Sequence, residues 1–446
     1  MRSLNRALLY AGALLSHQAL AKDDSTTDTA GPTQPTVTFS NTDEMAFFTG
    51  TKTEEVEKHT GPPTGPYSKY TSRITLGDPS DETITGSFTF TEGLSATETL
   101  SSAETPVANA TDTTDKPEPT NTQPCNNYVD LCTRKYSNIT NVGCHNSPFV
   151  RPGNTGSNQE LPVKAQLDDG VRFLQAQIQW PVNGTVPHFC HTSCDLLDAG
   201  PITDWLGEVT DWVSKHPYDV VTILLGNGNY SKPSLYEPYL RESGIVKYAY
   251  EAPYLPMTRD DWPTLENLIL RGKRVVMFLD YNADQTQFPW LLDQFAHVWE
   301  TPFDPVDREF PCDVQRPPDL KPETARNRLT LMNHNLNVEF NVFDTSLLVP
   351  AVSLLNETNN ATGYGSLGAA ARKCQSQWGH PPTYLNVDYY NYGDPPGSVF
   401  EVAAQMNNVT YKWDCCGELS SAPRLIQPFS PMALVATMVA ALMLLM

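Results

Sequence analysis

Strand-like and helical patterns alternate between Cys125 and Cys416, and this alternation is the feature that most constrains the fold. At 202–216 apolar side chains recur with a period of about 3.6 residues until Pro217 ends the run, and 262–271 and parts of 347–378 are similar. The alternation predicts an α/β fold, with either an open parallel sheet or a (β/α)8 barrel of the TIM type. Strands are predicted at 139–144, 171–180, 186–191, 219–226, 274–281, 329–333 and 383–389.

Polar side chains follow several of the predicted strands, and they favour the barrel. These residues are His145, His191, Asn227, Asp280, Asn333 and Asp388. The C-terminal ends of barrel strands meet at one face, where active sites are built. We therefore expect one folded domain at 125–416 with its site at that face.

The residues before this domain form two segments that are not expected to pack. Residues 1–21 have a basic start, a short apolar centre and the ending Ala19-Leu20-Ala21, which is typical of a cleaved secretory signal peptide. Residues 22–124 are dominated by Thr, Ser, Pro and acidic residues, which predicts a disordered, O-glycosylated stalk. Strand-like alternation at 83–90 leaves a small β-hairpin there as an alternative.

The C-terminal residues 417–446 combine small residues, a spacer at 423–430 and an apolar run that ends the sequence. This order is typical of the signal for a GPI anchor, and a short hydrophobic tail anchor is the alternative. Together with the N-terminal signal, it predicts attachment to the extracellular face of the plasma membrane or to the cell wall.

Nine cysteines, all within 125–416, predict disulfides in an exported chain, with one thiol left over. Cys190 and Cys194 are close enough in sequence for a local bridge, and Cys144 is expected to be the free thiol. The spacing of His188, Cys190, His191 and Cys194 would also suit zinc, but export favours the disulfide, so no metal is expected. The formal net charge of −21 and the absence of a basic run argue against nucleic-acid binding.

The stretch 141–147 delivers His145 to a strand end, and a second β-like run ends at His191. An imidazole can accept and donate a proton near neutral pH, because its ordinary pKa is about 6.5. Two histidines at two strand ends therefore predict an acid/base pair. Asp388, at the end of the last predicted strand, is the expected partner that orients His145.

Three motifs in this order carry a family resemblance: Gly143-Cys144-His145-Asn146-Ser147, then 166–174 (QLDDGVRFL), then His191. They resemble the X domain of the phosphatidylinositol-specific phospholipase C superfamily, and within it the fungal PLC-like phosphodiesterases with TIM-barrel folds. The resemblance covers most of 125–416. It implies phosphodiester cleavage by attack of a neighbouring hydroxyl on phosphorus, with His145 as base, His191 as acid and Asn146 as an orienting amide.

Several positions depart from that pattern. Gln175 and Gln177 stand where relatives have acidic or arginine side chains, and Asn227 stands where bacterial relatives often have lysine. A phosphorane gathers negative charge that a cation or metal usually stabilises, and no such group is evident in the motifs. We expect Gln177, Asp280 and Tyr390 to contact substrate, and we expect Arg172 to have a structural role at the other face of the barrel.

The sequence thus predicts a cell-surface phosphodiesterase that needs no cofactor or metal and acts on a phospholipid or an inositol-phosphate-type substrate. The alternative is a catalytically silent surface or wall protein whose barrel binds glycans. A metal-dependent glycerophosphodiester-type barrel ranks last, because Gln175, Gln177 and Gln179 occupy the positions where acidic ligands would stand.

Overall fold

The computed structural model of the protein describes residues 67–77, 123–150, 156–342, 345–412 and 415–416. The predicted signal peptide, the hairpin at 83–90, the C-terminal anchor signal and most of the stalk lie outside these residues. Within them, no helix is both long enough and apolar enough to cross a membrane.

The centre of the molecule is a curled sheet of ten strands, with β4 and β5 lying off its main path. The helices are α1 (Val163–Asp169), α2 (Ile202–Lys215), α3 (Pro233–Glu242), α4 (Leu265–Leu270), α5 (Gln294–His297), α6 (Pro322–Arg326), α7 (Leu355–Thr358), α8 (Leu367–Trp378) and α9 (Ser398–Met406). The strands are β1 (Ile74–Thr75), β2 (Asn141–Cys144), β3 (Phe173–Gln179), β4 (His188–Cys190), β5 (Asp198–Pro201), β6 (Val221–Asn227), β7 (Tyr254–Leu255), β8 (Val275–Leu279), β9 (Leu291–Asp293), β10 (Val298–Glu300), β11 (Leu329–Asn333), β12 (Asn337–Val342), β13 (Thr345–Pro350) and β14 (Tyr384–Val387).

Along the main path the order is β10-β11-β14-β2-β3-β6-β8-β9, and every neighbouring pair is parallel. This confirms the predicted α/β barrel class. In the part of the chain that the structure describes, β9 and β10 are not paired with each other, although only the single-turn helix α5 separates them. The barrel is therefore open along one seam, between β9 and β10.

Alternation along the strands separates two apolar layers, because successive side chains of a strand point to opposite faces. In β3, Leu174, Ala176 and Ile178 pack outward with the helices, whereas Phe173 packs inside the barrel. Gln175, Gln177 and Gln179 share the parity of Phe173 and face inward. The inner layer is therefore apolar at the start of β3 and polar towards its C-terminal end, at the mouth of the barrel.

Most predicted elements are present within a few residues of their predicted bounds. Helix α2 buries the predicted apolar stripe: Ile202, Trp205, Leu206, Val209, Trp212 and Val213. The strand predicted at 186–191 differs in role, because β4 pairs antiparallel with β3 and β5 as a side hairpin. The short strands β9 and β10 and the hairpin β12–β13 were not predicted.

Arg172 has the structural role expected of it. Its guanidinium bonds the Asp219 carboxylate at 2.7 and 3.1 Å and the carbonyl of Leu167 at 2.7 Å. It precedes β3, so it lies at the end of the barrel opposite the mouth.

The cysteines follow the prediction. Cys190 and Cys194 form the expected local disulfide, and Cys144 is buried and free. Other bridges join Cys125 to Cys132, Cys312 to Cys374 and Cys415 to Cys416.

Candidate active site

His145 is placed by the abrupt end of β2. Its backbone N–H donates to the carbonyl of Val387 at 2.9 Å, and the next residue, Asn146, turns the chain with a φ of +48°. Gln159 holds the same corner, since its side-chain amide donates to the carbonyls of His145 at 2.7 Å and Val387 at 3.0 Å. The backbone around His145 is thus fixed by strand pairing and by a buried amide.

Gly143 is needed two residues earlier on the inner face. A Cβ at this position would lie 2.5 Å from Cδ1 of Phe173 and 3.3 Å from the carbonyl oxygen of Leu385. The absence of a side chain at Gly143 therefore allows the Phe173 ring to pack against β2, two residues before His145.

Asp388 contacts His145 as expected: the distance from Nδ1 to Oδ1 is 2.8 Å. Both side chains are buried. Asn158 donates to the same carboxylate oxygen at 3.0 Å. Because an ionised carboxylate only accepts hydrogen bonds, the Nδ1 atom carries the proton and Nε2 is left as the basic nitrogen.

The Asn146 side chain acts on Asn158 instead of bonding directly to the His145 ring. Its amide donates to Oδ1 of Asn158 at 3.2 Å, so it orients Asn158, which in turn bonds Asp388. Asn158 is one of the residues that the sequence reasoning missed, because it lies in an irregular segment with no periodic signal.

His191 follows β4, where the Cys190–Cys194 disulfide and a bond from its backbone N–H to the carbonyl of Leu197 (2.9 Å) hold it. Its half-buried ring stacks on Phe149 with centroids 5.3 Å apart. Burial and the nearby charge of His145 lower the pKa of His191 to about 4, although a hydrogen bond with the backbone of Gly156 raises it. Because His145 affects the pKa of His191, the two rings lie within electrostatic range of each other.

The disulfide leaves neither Cys190 nor Cys194 with a thiolate that could bind zinc, because their sulfur atoms are bonded to each other. His188, the remaining member of that motif, pairs through Nδ1 with the Asp198 carboxylate at 2.9 Å.

Amide side chains cross the inside of the barrel beside His145. Asn386 donates to Gln175 at 2.7 Å and to Asn333 at 3.3 Å, and Asn333 donates to Glu300 at 3.3 Å. Gln177 lies opposite Gly226 on β6. Its side chain also packs against Gly228, where an added Cβ would lie 3.0 Å from Nε2 of Gln177. Gln175 is therefore part of a hydrogen-bonded floor, and Gln177 packs against β6.

A buried cation stands at the far end of this network, and the sequence reasoning missed it. Arg316 bonds both carboxylate oxygens of Glu300 at 2.9 Å and donates to the hydroxyl of Tyr281 at 3.2 Å. Burial lowers the pKa of Arg316, but the carboxylate of Glu300 outweighs it and raises that pKa above its usual value. Arg316 lies in an irregular segment and Glu300 ends an unpredicted strand, so neither gave a sequence signal.

Asp280 lies near this ion pair. Its Oδ1 accepts from the backbone N–H groups of Asn227 and Tyr281, both at 2.7 Å. Burial raises the pKa of Asp280 to about 7, against the opposing effect of Arg316. The expected contact with a substrate hydroxyl stays a prediction.

Tyr390 packs in the outer apolar layer, away from the inner face where His145 lies. Its hydroxyl donates to Asp169, and its ring packs in the outer layer, where its pKa is raised by burial and by nearby Cys144. The chain turns after Asp388 and carries Tyr390 into the outer layer, and its expected contact with substrate stays a prediction.

The site thus offers an oriented imidazole with a basic nitrogen, a second imidazole close to it, a floor of amides and an arginine–glutamate pair.

The PI-PLC X 1 family model matches residues 131–407. An uncharacterized secreted protein of Arthroderma benhamiae is 51% identical over 314 residues, which cover 70% of this chain and 71% of that protein. PI-PLC X domain-containing protein 1 of the same organism is 40% identical over 272 residues, covering 60% and 86%. Among solved structures, the phosphatidylinositol-specific phospholipase C of Listeria monocytogenes aligns with 63% of this chain and 96% of its own, at 13% identity and a TM-score of 0.38.

Proposed function

The chain belongs to the PI-PLC X family, and from this premise we propose that it is a phosphodiesterase that uses His145 and His191 as base and acid. The observation that carries the proposal is the His145–Asp388 pair, with Nδ1 tied to a carboxylate and His191 close to the same ring. A buried carboxylate that fixes the tautomer of a histidine is what a general base requires.

The proposed reaction takes one proton from the attacking hydroxyl and gives one proton to the leaving oxygen. His145 Nε2 removes the proton from a hydroxyl next to the phosphate, and the hydroxyl oxygen bonds to phosphorus. The bond from phosphorus to the leaving oxygen breaks, and His191 gives that oxygen its proton. The products are a cyclic phosphate and an alcohol, and the substrate class is a phosphoinositide or a related phosphodiester with a free neighbouring hydroxyl.

Arg316 supports this proposal, because it adds a guanidinium group near the mouth that the motifs lacked. Its pairing with Glu300 leaves little net charge, so we expect it to orient polar groups of the substrate rather than to neutralise phosphate alone. The amides of Gln175, Asn333 and Asn386 offer further partners for hydroxyl groups.

The same amide floor favours a second candidate function, in which the barrel binds a glycan or polyol without cleaving it. Amides bind hydroxyl groups without carrying charge, and no chemical step depends on them. The two candidates differ in whether His145 and His191 are needed for turnover.

Secretion is part of the proposal. The signal-like residues 1–21 and the N-glycosylation motifs of the barrel region support it, as does the A. benhamiae relative that is named a secreted protein. Attachment to the membrane through a GPI anchor, or to wall glycans, is proposed on the sequence of 417–446 alone.

The test is cleavage of phosphatidylinositol and of a chromogenic inositol phosphodiester by the chain from residue 22 onward, with and without chelator. His145→Ala and His191→Ala are compared with the matched control His188→Ala, which changes a histidine paired with Asp198 on the hairpin that leads to His191. Chelator-resistant turnover that His188→Ala retains and both site variants lose supports the proposal. Turnover that both site variants retain contradicts it, and binding without turnover favours the second candidate.

A further inference from the structure

Residues 67–77, inside the segment predicted to be a stalk, pack along the barrel. Strand β1 pairs antiparallel with β7, and the N–H of Leu76 donates to the carbonyl of Pro253 at 2.9 Å. Arg73 forms an ion pair with Asp261 at 2.5 Å, and its guanidinium lies 4.7 Å from the centre of the Tyr254 ring. Backbone and side-chain contacts thus tie this segment, called the strap below, to the barrel.

The strap leads from β7 to the seam between β9 and β10. Tyr70 donates to the carboxylate of Asp293 at 2.7 Å, and Asp293 ends β9 and caps α5 by accepting from Ala296 at 3.1 Å. Further along, the ring of Tyr67 meets Phe295 of α5 edge to face, with centroids 4.8 Å apart. The two tyrosines therefore cover the helix that separates the unpaired strands.

The other side of the seam is the edge of β10, which the segment of Arg316 covers. The N–H of Glu300 donates to the carbonyl of Arg316 at 2.8 Å, and the N–H of Gln315 donates back to Glu300 at 2.9 Å. An exposed strand edge is a liability that proteins cover with loops or charges. Here the covering segment also delivers the buried Arg316 to the mouth.

Tyr67 connects the strap to this arginine. Its ring centre lies 5.7 Å from that of Tyr281, and the two hydroxyl groups share a hydrogen bond. Tyr281 in turn accepts from Arg316 at 3.2 Å. Tyr67, Tyr281 and Arg316 thus form a relay from the strap to the candidate site.

We propose that residues 67–77 are an intramolecular strap that covers the open seam of the barrel, and that Tyr67 on it is a positioning residue that orients Arg316 through Tyr281. The strap is therefore part of the working barrel domain. Its docking and the relay do not depend on the proposed function, although the effect on substrate binding does.

The first experiment is hydrogen exchange on the chain from residue 22 onward. The amide of Leu76 is expected to exchange at least tenfold more slowly than an unstructured amide, and Asp261→Asn is expected to speed that exchange. Exchange of Leu76 and its strap neighbours at the unstructured rate in the wild type overturns the strap.

The second experiment is a double-mutant cycle on thermal unfolding with Tyr67→Phe and Arg316→Lys. Substitutions of two residues in one hydrogen-bond network change the stability of the protein non-additively. The Tm loss of the double variant is therefore expected to be smaller than the sum of the two single losses. Tyr250→Phe, which removes a hydroxyl that contacts Met257 instead of this relay, is the matched control and should add to Arg316→Lys. Additive losses for Tyr67→Phe overturn the relay.

The third experiment separates positioning from a purely structural role. Tyr67→Phe is expected to raise KM about three- to tenfold with kcat within twofold, as expected for losing one hydrogen bond in the relay. An unchanged KM in Tyr67→Phe overturns the positioning role. Failure of the wild type to cleave any phosphodiester would count against the proposed function. The hydrogen-exchange experiment and the double-mutant cycle need no substrate, so they would still test the docking of the strap and the relay.

Discussion

The carboxylate of Asp388 lies 2.8 Å from Nδ1 of His145, across 243 residues of sequence. The contact joins the ends of two neighbouring parallel strands, since β14 and β2 pair with Val387 opposite Cys144. Each residue follows its strand by one position, so the register of that pair sets the geometry of the candidate base.

Asp388→Asn should therefore lower activity while preserving the fold. An asparagine keeps the volume, and its oxygen can still accept from Asn158 and from Nδ1 of His145, but it has no negative charge to stabilise the imidazolium that forms when His145 accepts a proton. We expect kcat to fall by about 10²- to 10⁴-fold, as when the orienting carboxylate of a catalytic histidine is replaced. Steady-state kinetics beside a thermal melt would check this, and a variant with normal kcat would exclude Asp388 from the mechanism.

The pH profile should report His191. Its pKa of about 4 means that the free protein holds the acid in its protonated form only in acidic solution. Above the pH at which His145 has lost its proton, we expect kcat/KM to decline by about tenfold for each pH unit, because the protonated fraction of His191 falls at that rate. The decline should vanish in the residual activity of His191→Gln, whereas a decline that His191→Gln retains would assign the acid to another group.

Gly143→Ala should destabilise the protein although the change is a single methyl group. The added Cβ would stand 2.5 Å from the Phe173 ring, which is itself buried among apolar neighbours and cannot retreat freely. Overpacking of this kind costs about 1–3 kcal/mol in the free energy of unfolding. Denaturant unfolding would measure it, and Gly207→Ala, where a Cβ meets nothing within 4 Å, is the control.

Asp280 should make the stability depend on pH. Burial raises its pKa from 3.8 to about 7, so between these values the folded state binds the proton more tightly than the unfolded state. The contribution of Asp280 to the free energy of unfolding is fully present below pH 3.8 and is lost as the pH rises through 7. Between those limits the loss is about 1.4 kcal/mol for each pH unit.

Asp280→Asn should remove that dependence, because an amide oxygen can still accept from Asn227 and Tyr281. The stability of the variant relative to wild type should therefore rise between pH 4 and pH 8. Urea unfolding at both pH values tests it, and an unchanged difference would mean that Asp280 titrates normally.

The sequence anticipated the parts of the fold that depend on local pattern. The long strands, α2, the Cys190–Cys194 bridge and the His145–Asp388 contact all follow from periodicity, spacing or position at a strand end. It missed Glu300 and Arg316, because a strand of three residues and an irregular segment carry no periodicity. It gave no sign that Tyr390 packs in the outer layer, because the chain leaves its strand after Asp388. The docking of 67–77 depends on contacts far away in sequence.

The Arg316–Glu300 pair allows a final prediction, since both side chains are almost fully buried. Glu300→Leu would leave the guanidinium of Arg316 without its carboxylate in an apolar setting, between the rings of Phe295 and Phe303. Losing one partner of a buried ion pair costs about 3–5 kcal/mol. The double variant Glu300→Leu/Arg316→Met removes both charges and should recover much of that stability, because the desolvation cost disappears with them. Chemical denaturation of the two variants would decide, and a double variant less stable than Glu300→Leu would mean that the remaining contacts of Arg316, with Tyr281 and the two rings, outweigh the desolvation cost of its unpaired charge.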